Sequence, residues 1–112
     1  MTRSITVNGK AILLDKEGFL KSLKDWNELV AEQLALQENI SLTQEHWEIL
    51  WTLKEFYQQH QLAPANRALV KLIKRELGNE KGRSVYLMSL FGGSPAKMAS
   101  KIAGLPKPDN CL

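Results

Sequence analysis

The sequence has a single cysteine, Cys111, among its 112 residues. A lone thiol excludes an intramolecular disulfide and a thiolate metal cluster, but it leaves open a mixed disulfide or a persulfide. Histidine is nearly as sparse, with two. His46 and His60 fall at opposite ends of one expected helix and cannot share a metal ion, so each reads as a cap or a half-buried polar group, and neither a metal nor a cofactor is expected. No apolar run approaches the length of a membrane span. The opening Met1-Thr2-Arg3-Ser4-Ile5 has neither the apolar core nor the small-residue cleavage pattern of a secretory signal, so a cytoplasmic protein is expected. That compartment also keeps a lone thiol reduced. Repeats, low-complexity segments and long linkers are all missing, which leaves one domain over residues 1–112. Ser84 and Ser94 lack a nucleophile-elbow setting and read as helix caps. The formal net charge of +3 is too small to declare a nucleic-acid binder from the sum alone.

What is present is the make-up of a folded chain: 44% hydrophobic and 24% charged residues. Asn8-Gly9 between two short strand-like runs is a strong hairpin signal, because a type I′ turn needs left-handed geometry at both central residues. Strands are expected at about 4–7 and 10–14. Asp15 starts a turn. Leu20, Leu23 and Trp26 recur at spacings of three and suggest a short helix. A second helix is expected over 27–37, and a long one over 44–59, capped by Ser41 or Thr43. The long helix has a broad apolar face and reads as the centre of the core. Trp26, Trp47 and Trp51 are most simply core; Trp47 and Trp51 lie one turn apart, and an exposed pair would be a docking surface. Helices at 65–77, ended by Gly78, at 84–90, and at 95–103, opened by Ser94-Pro95, complete the body.

The expected class is α+β, mostly α. A β-hairpin (about 4–14) packs on a small helical bundle (about 17–103), followed by a mobile C-terminal arm (104–112). The pair 44–59 and 65–77 resembles a helix-turn-helix in length. Spacings of three and four put Arg67, Lys71, Lys74 and Arg75 on one side of its second helix, and Arg83 extends the patch. Such a face suits an RNA-bearing or acidic partner, met through phosphates without reading sequence; an ordinary helical hairpin with a solvated face gives the same pattern.

The arm reads Gly104-Leu105-Pro106-Lys107-Pro108-Asp109-Asn110-Cys111-Leu112. Pro106 and Pro108 hold it extended, since each fixes its own φ and pushes its predecessor out of the helical region. Gly104 separates it from the last helix. Sulfur chemistry needs a thiolate. Lys101 and Lys107 favour one at Cys111, and a carboxylate at the chain end opposes it by like charge.

The segments Tyr86-Leu87-Met88-Ser89-Leu90-Phe91-Gly92-Gly93-Ser94-Pro95 and Lys101-Ile102-Ala103 through Cys111-Leu112 resemble the TusE/DsrC family of sulfur-carrier proteins. Thr43-Gln44-Glu45-His46-Trp47 and Pro64-Ala65-Asn66-Arg67 fall where that family has similar elements. The resemblance implies a sulfurtransferase in which Cys111 accepts persulfide sulfur. One branch serves dissimilatory sulfur metabolism and has a second cysteine eleven residues before the last; the matching position here is Ser100, which cannot form that branch's disulfide. The other, TusE-like branch implies a relay for tRNA 2-thiolation. Sulfur comes from a TusBCD-type complex and passes to an MnmA-type thiouridylase with bound tRNA, which modifies the wobble uridine. The family's glycine before the last cysteine is Asn110 here, a residue that tolerates left-handed geometry. The alternatives are a DsrC-like partner in dissimilatory sulfur metabolism, a nucleic-acid-binding helix-turn-helix regulator, and an interaction subunit whose tail is structural.

Overall fold

The computed structural model describes residues 3–109. Strands β1 (Arg3–Val7) and β2 (Lys10–Leu14) pair antiparallel, with Ile5 opposite Ile12. Asn8 and Gly9 take φ of 50° and 77°, the left-handed pair that a two-residue hairpin turn requires. One face of the hairpin carries Ile5, Ile12 and Leu14 into a small apolar cluster with Leu20, Val30 and Leu34. Helix α1 (Glu28–Gln37) supplies Val30 and Leu34, and its first turn is capped by Asn27 Oδ1, which accepts from the Val30 N–H at 2.9 Å.

The expected helix around Leu20–Trp26 is not formed. Leu20 bridges back to Leu14, the Lys21 N–H donates to the Leu13 carbonyl, and only Leu23–Asp25 make a 3-10 turn. Burying Leu20 under the hairpin demands extended backbone there, and this outweighs the local spacing.

Helices α2 (Gln44–His60), α3 (Asn66–Leu77), α4 (Ser84–Phe91) and α5 (Pro95–Ile102) build the main core. The long helix α2 buries Ile49, Leu50 and Leu53, but the hub is α5, which touches α1, α2, α3 and α4. Its packing residues Ala96, Ala99 and Ser100, with Ala103 just beyond, have no exposed surface, and their small side chains allow four helices to close on one short segment. Trp26 packs against both clusters and donates from Nε1 to the Ile102 carbonyl at 2.9 Å, tying the hairpin side to the end of α5.

The cap of α2 is Thr43 rather than Ser41, and the residue answering it is His46. His46 Nδ1 accepts from the Thr43 backbone N–H at 3.1 Å. That fixes the tautomer: Nε2 carries the proton and donates to the Leu90 carbonyl at 2.8 Å, while the ring meets Phe91 edge-on. His46 thus joins the start of α2 to the end of α4. Replacing it with alanine removes the partners of the Thr43 N–H and the Leu90 carbonyl, both part-buried, and opens space against Phe91. His46→Ala is expected to lower the unfolding free energy by about 2–4 kcal/mol, measured by urea titration. A loss below about 0.5 kcal/mol would remove this joint.

Candidate functional site

Helix α5 ends in a form that fixes where the tail begins. Its last turn closes with the Gly104 N–H donating to the Lys101 carbonyl at 3.1 Å and the Leu105 N–H donating to the Ser100 carbonyl at 2.9 Å. With Gly104 at φ 72°, this is a Schellman motif, whose left-handed position glycine fills most readily. The residue beyond it, Leu105, is 2% exposed and belongs to the main core. The expected arm boundary at 104 therefore moves. Gly104 and Leu105 are part of the body, and the tail proper starts at Pro106. Pro106 and Lys107 are exposed, and Pro108 is buried. Cys111 and Asn110 lie outside the described residues, which reach the root of the thiol-bearing tail and end at Asp109.

The cations read as supporting the thiol are engaged on the body. Lys101 is buried; its Nζ lies 3.4 Å from Glu38 and over the Phe19 ring. Lys107 reaches Glu17 at 3.1 Å, and Lys97 reaches the same carboxylate at 3.3 Å. Glu17 is held out by a tight turn in which Asp15 Oδ1 accepts from the Glu17 and Phe19 N–H groups. The two ammonium groups, Lys107 first, pull the Glu17 carboxyl below its ordinary range. An exposed pair of this kind is weak and salt-sensitive, so it clips the tail to the hairpin side without locking it. No local pattern announces a pair between residues 17 and 107, and sequence reasoning missed it.

On the other flank of the tail root lies a groove of about 550 Å³ bordered by Leu23, Trp51, Lys54, Tyr57, Gln58 and Leu105. Trp51 is 46% exposed, so it is not the core residue expected of it. Its ring stacks on Trp47 (centroids 5.8 Å, 26°) and meets Trp26 edge-on (5.5 Å, 86°). Lys54 Nζ sits 3.9 Å from the centre of the Trp26 ring, and partial burial lowers its pKa.

The four cations of α3 all lie on exposed surface. Arg67, Lys71 and Lys74 are exposed and make no ion pair among the described residues; Arg75 pairs only with its neighbour Glu76 at 3.0 Å. Arg83, beyond the turn after α3, is exposed and donates from Nε to the Glu80 carbonyl. Among the described residues no group of three His, Cys, Asp or Glu side chains is placed to hold a metal ion, and no helix is long and apolar enough to cross a membrane.

Ser100 has no exposed surface, and its Oγ has no hydrogen-bond partner among the described residues. The family described as DsrC like protein matches residues 6–112. This chain belongs to the TusE/DsrC family of small sulfur-carrier proteins. The sulfurtransferase TusE of Photorhabdus laumondii is 48% identical over 96% of this chain and 97% of its own length. The Haemophilus influenzae sulfurtransferase TusE homolog is 45% identical over 96% and 99%. Among solved structures, Allochromatium vinosum DsrC superposes with a TM-score of 0.91 at 49% identity, covering both chains entirely. The oxidized DsrC γ-subunit of dissimilatory sulfite reductase from Archaeoglobus fulgidus follows at 0.84 and 40%, covering 98% of this chain and all of its own. Relatives named for the two branches are thus about equally similar in sequence, and overall likeness does not separate them.

Proposed function

We propose that the chain is the TusE-like member of a tRNA 2-thiolation relay. The Cys111 thiolate attacks the outer sulfur of a persulfide on a TusBCD-type donor. The donor's S–S bond breaks, its cysteine leaves as a thiolate, and a Cys111 persulfide forms with no net oxidation. The tail then presents that sulfur to a cysteine of an MnmA-type thiouridylase holding tRNA. The observation that carries this reading is a sequence with one cysteine, Cys111, and a serine at position 100. With one cysteine the chain has no internal disulfide to form, and a carrier that only accepts and hands on sulfur needs none. The high identity to Allochromatium vinosum DsrC favours a second reading, a partner of dissimilatory sulfur metabolism, and Ser100 counts against it. In either role Lys107 and Lys101 give electrostatic support near the tail, while Pro106, Pro108 and Gly104 shape it. The tRNA substrate makes the cytoplasm the location proposed for the relay.

Intact mass spectrometry tests the proposal. After incubation with a cysteine desulfurase, L-cysteine and the TusBCD-type donor, the protein should gain about 32 Da, one sulfur atom, mapped to Cys111 and removed by reductant. A free, accessible thiol that stays unmodified would sink it.

The α3 face is assigned to the tRNA-loaded acceptor. Replacing Arg67, Lys71 and Arg75 together with alanine is expected to weaken that complex roughly tenfold at low salt and to flatten its salt dependence, by about 0.7–0.9 in slope for each phosphate no longer neutralised. Sulfur loading from the donor should stay as in the parent protein. Fluorescence anisotropy with labelled tRNA in the acceptor complex reads both quantities, and unchanged binding at low salt would remove the assignment.

A further inference from the structure

We infer that the groove beside the tail root, walled by Trp51, Tyr57 and Leu23 and edged by Lys54, is the docking surface for the protein that loads Cys111, and that it receives an apolar side chain and an adjoining carboxylate from the rim of that donor's cysteine pocket. The inference rests on the sulfur-acceptor reading above and names where its first partner sits.

The length of the tail points to this surface first. Leu105 is fixed in the core, and Cys111 follows six residues later. Six residues span at most about 20 Å when fully extended, and the two prolines already hold much of that stretch extended. A persulfide survives in a recessed pocket that keeps other thiols away. Threading such a pocket uses most of the tether, so the mouth of the pocket must rest on body surface close to Leu105. The groove is that surface, since Gly104 and Leu105 form part of its wall.

The chemistry of the wall points the same way. Trp51 is braced by both Trp47 and Trp26, so its exposed face is a rigid apolar contact that loses little conformational freedom on binding. Buried aromatic anchors of this type dominate the energetics of protein interfaces. Lys54 adds a charge that awaits a counterpart. Lys81, Lys97, Lys101 and Lys107 each have a carboxylate partner, whereas Lys54, half-buried over Trp26, has none among the described residues. A cation held partly out of water without a counter-charge is a cost to the free protein, and a carboxylate arriving with the partner offsets it. One cation over an aromatic wall, with Glu55 also on the lining, fits a protein rim of mixed charge. The several cations of α3, not this groove, suit a polyanion.

The test uses the full-length protein and the purified TusBCD-type donor, with the rate of the Cys111 adduct read by intact mass spectrometry at limiting donor. Inorganic polysulfide, which needs no docking, reports thiol reactivity in parallel. Lys54→Glu should slow loading from the donor at least about tenfold, Lys54→Met less, and Trp51→Ala by a comparable factor. Polysulfide should modify all of them as fast as the parent protein. Val85→Ser, at an exposed apolar position outside the groove, should load normally. Lys54→Met also guards against a folding artefact, because it removes a desolvated charge and should not lower the melting temperature. Loading of the Lys54 variants within twofold of the parent overturns the docking surface alone. Failure of the donor to load the parent protein removes the sulfur-acceptor reading and the docking surface with it. Variants that load faster than the parent would show that residues 110–112 of this chain occupy the groove, and a concentration-dependent dimer abolished by Trp51→Ala would show that a second copy does; either result overturns the inference.

Discussion

Cys111→Ser is expected to reduce sulfur acceptance to background while changing the unfolding free energy by less than about 0.5 kcal/mol. The two halves of this expectation have separate grounds. A serine hydroxyl does not ionise at neutral pH and forms no sulfane adduct, so the nucleophile is lost outright and not merely weakened. The stability half follows from where the fold is closed. Among the described residues, both apolar clusters are assembled between Ile5 and Leu105, and the last backbone hydrogen bond at the tail root is the one Leu105 makes. Intact mass after donor loading reads the first half, and a thermal melt reads the second. A serine variant that still gained sulfur would place the acceptor elsewhere, and no other residue of this sequence offers a thiol. A variant that lost both sulfur uptake and several kcal/mol of stability would instead favour a structural tail.

Much of the scaffold was legible because its signals are local. Asn8-Gly9 fixed the hairpin, Gly78 closed α3, and Pro95 opened α5. These residues act through their own backbone preferences, so they mean the same thing in any fold. The failures share a different cause. Leu20, Leu23 and Trp26 have helical spacing, but Leu20 is claimed by the hairpin cluster and pulls the segment extended. The hub role of α5 was hidden because small residues such as Ala96, Ala99 and Ser100 look bland in a hydrophobicity pattern, and it is their smallness that lets four helices approach. Trp51 follows Trp47 by one turn, and the sequence could not tell that Ile49, Leu50 and Leu53 already fill the inward face of α2.

At the candidate site the legible part was the tail chemistry: a lone thiol, alternate prolines and a glycine stop. Its attachments were not legible, because each joins residues far apart in the chain. Lys107 meets Glu17, Lys101 meets Glu38, Trp26 meets Ile102, and His46 meets Leu90. A single sequence carries no pattern for such pairs. His46, expected as a cap or a half-buried polar group, completes the capping box of α2, but its second nitrogen reaches 44 residues away to Leu90.

Gly104→Ala is the substitution with the largest expected effect on the fold, and two separable penalties produce it. The first is backbone: φ at Gly104 is 72°, and an alanine in left-handed geometry costs about 1–2 kcal/mol. The second is space. A Cβ at Gly104 would overlap Trp26 Cδ1, lie 2.7 Å from Trp26 Cγ and stand 3.0 Å from Leu20 Cδ1. Trp26 has little freedom to yield, since its Nε1 is bonded to the Ile102 carbonyl, its ring meets Trp51, and Lys54 lies over its face. Overpacking at such a site costs about 1–3 kcal/mol, so Gly104→Ala should lose about 2–5 kcal/mol in a urea titration. Gly104→Asn separates the two penalties, because asparagine tolerates left-handed geometry but still carries a Cβ. It should regain part of the backbone share and none of the steric share. Any displaced tail root also disturbs Trp26 and, through its ring contact, the Trp51 wall of the groove. In protein that remains folded, loading of Cys111 from the donor should therefore fall further than its reaction with polysulfide. If Gly104→Ala were as stable as the parent protein, the Schellman turn and the Trp26 contact would not be what fixes the point from which the tail departs.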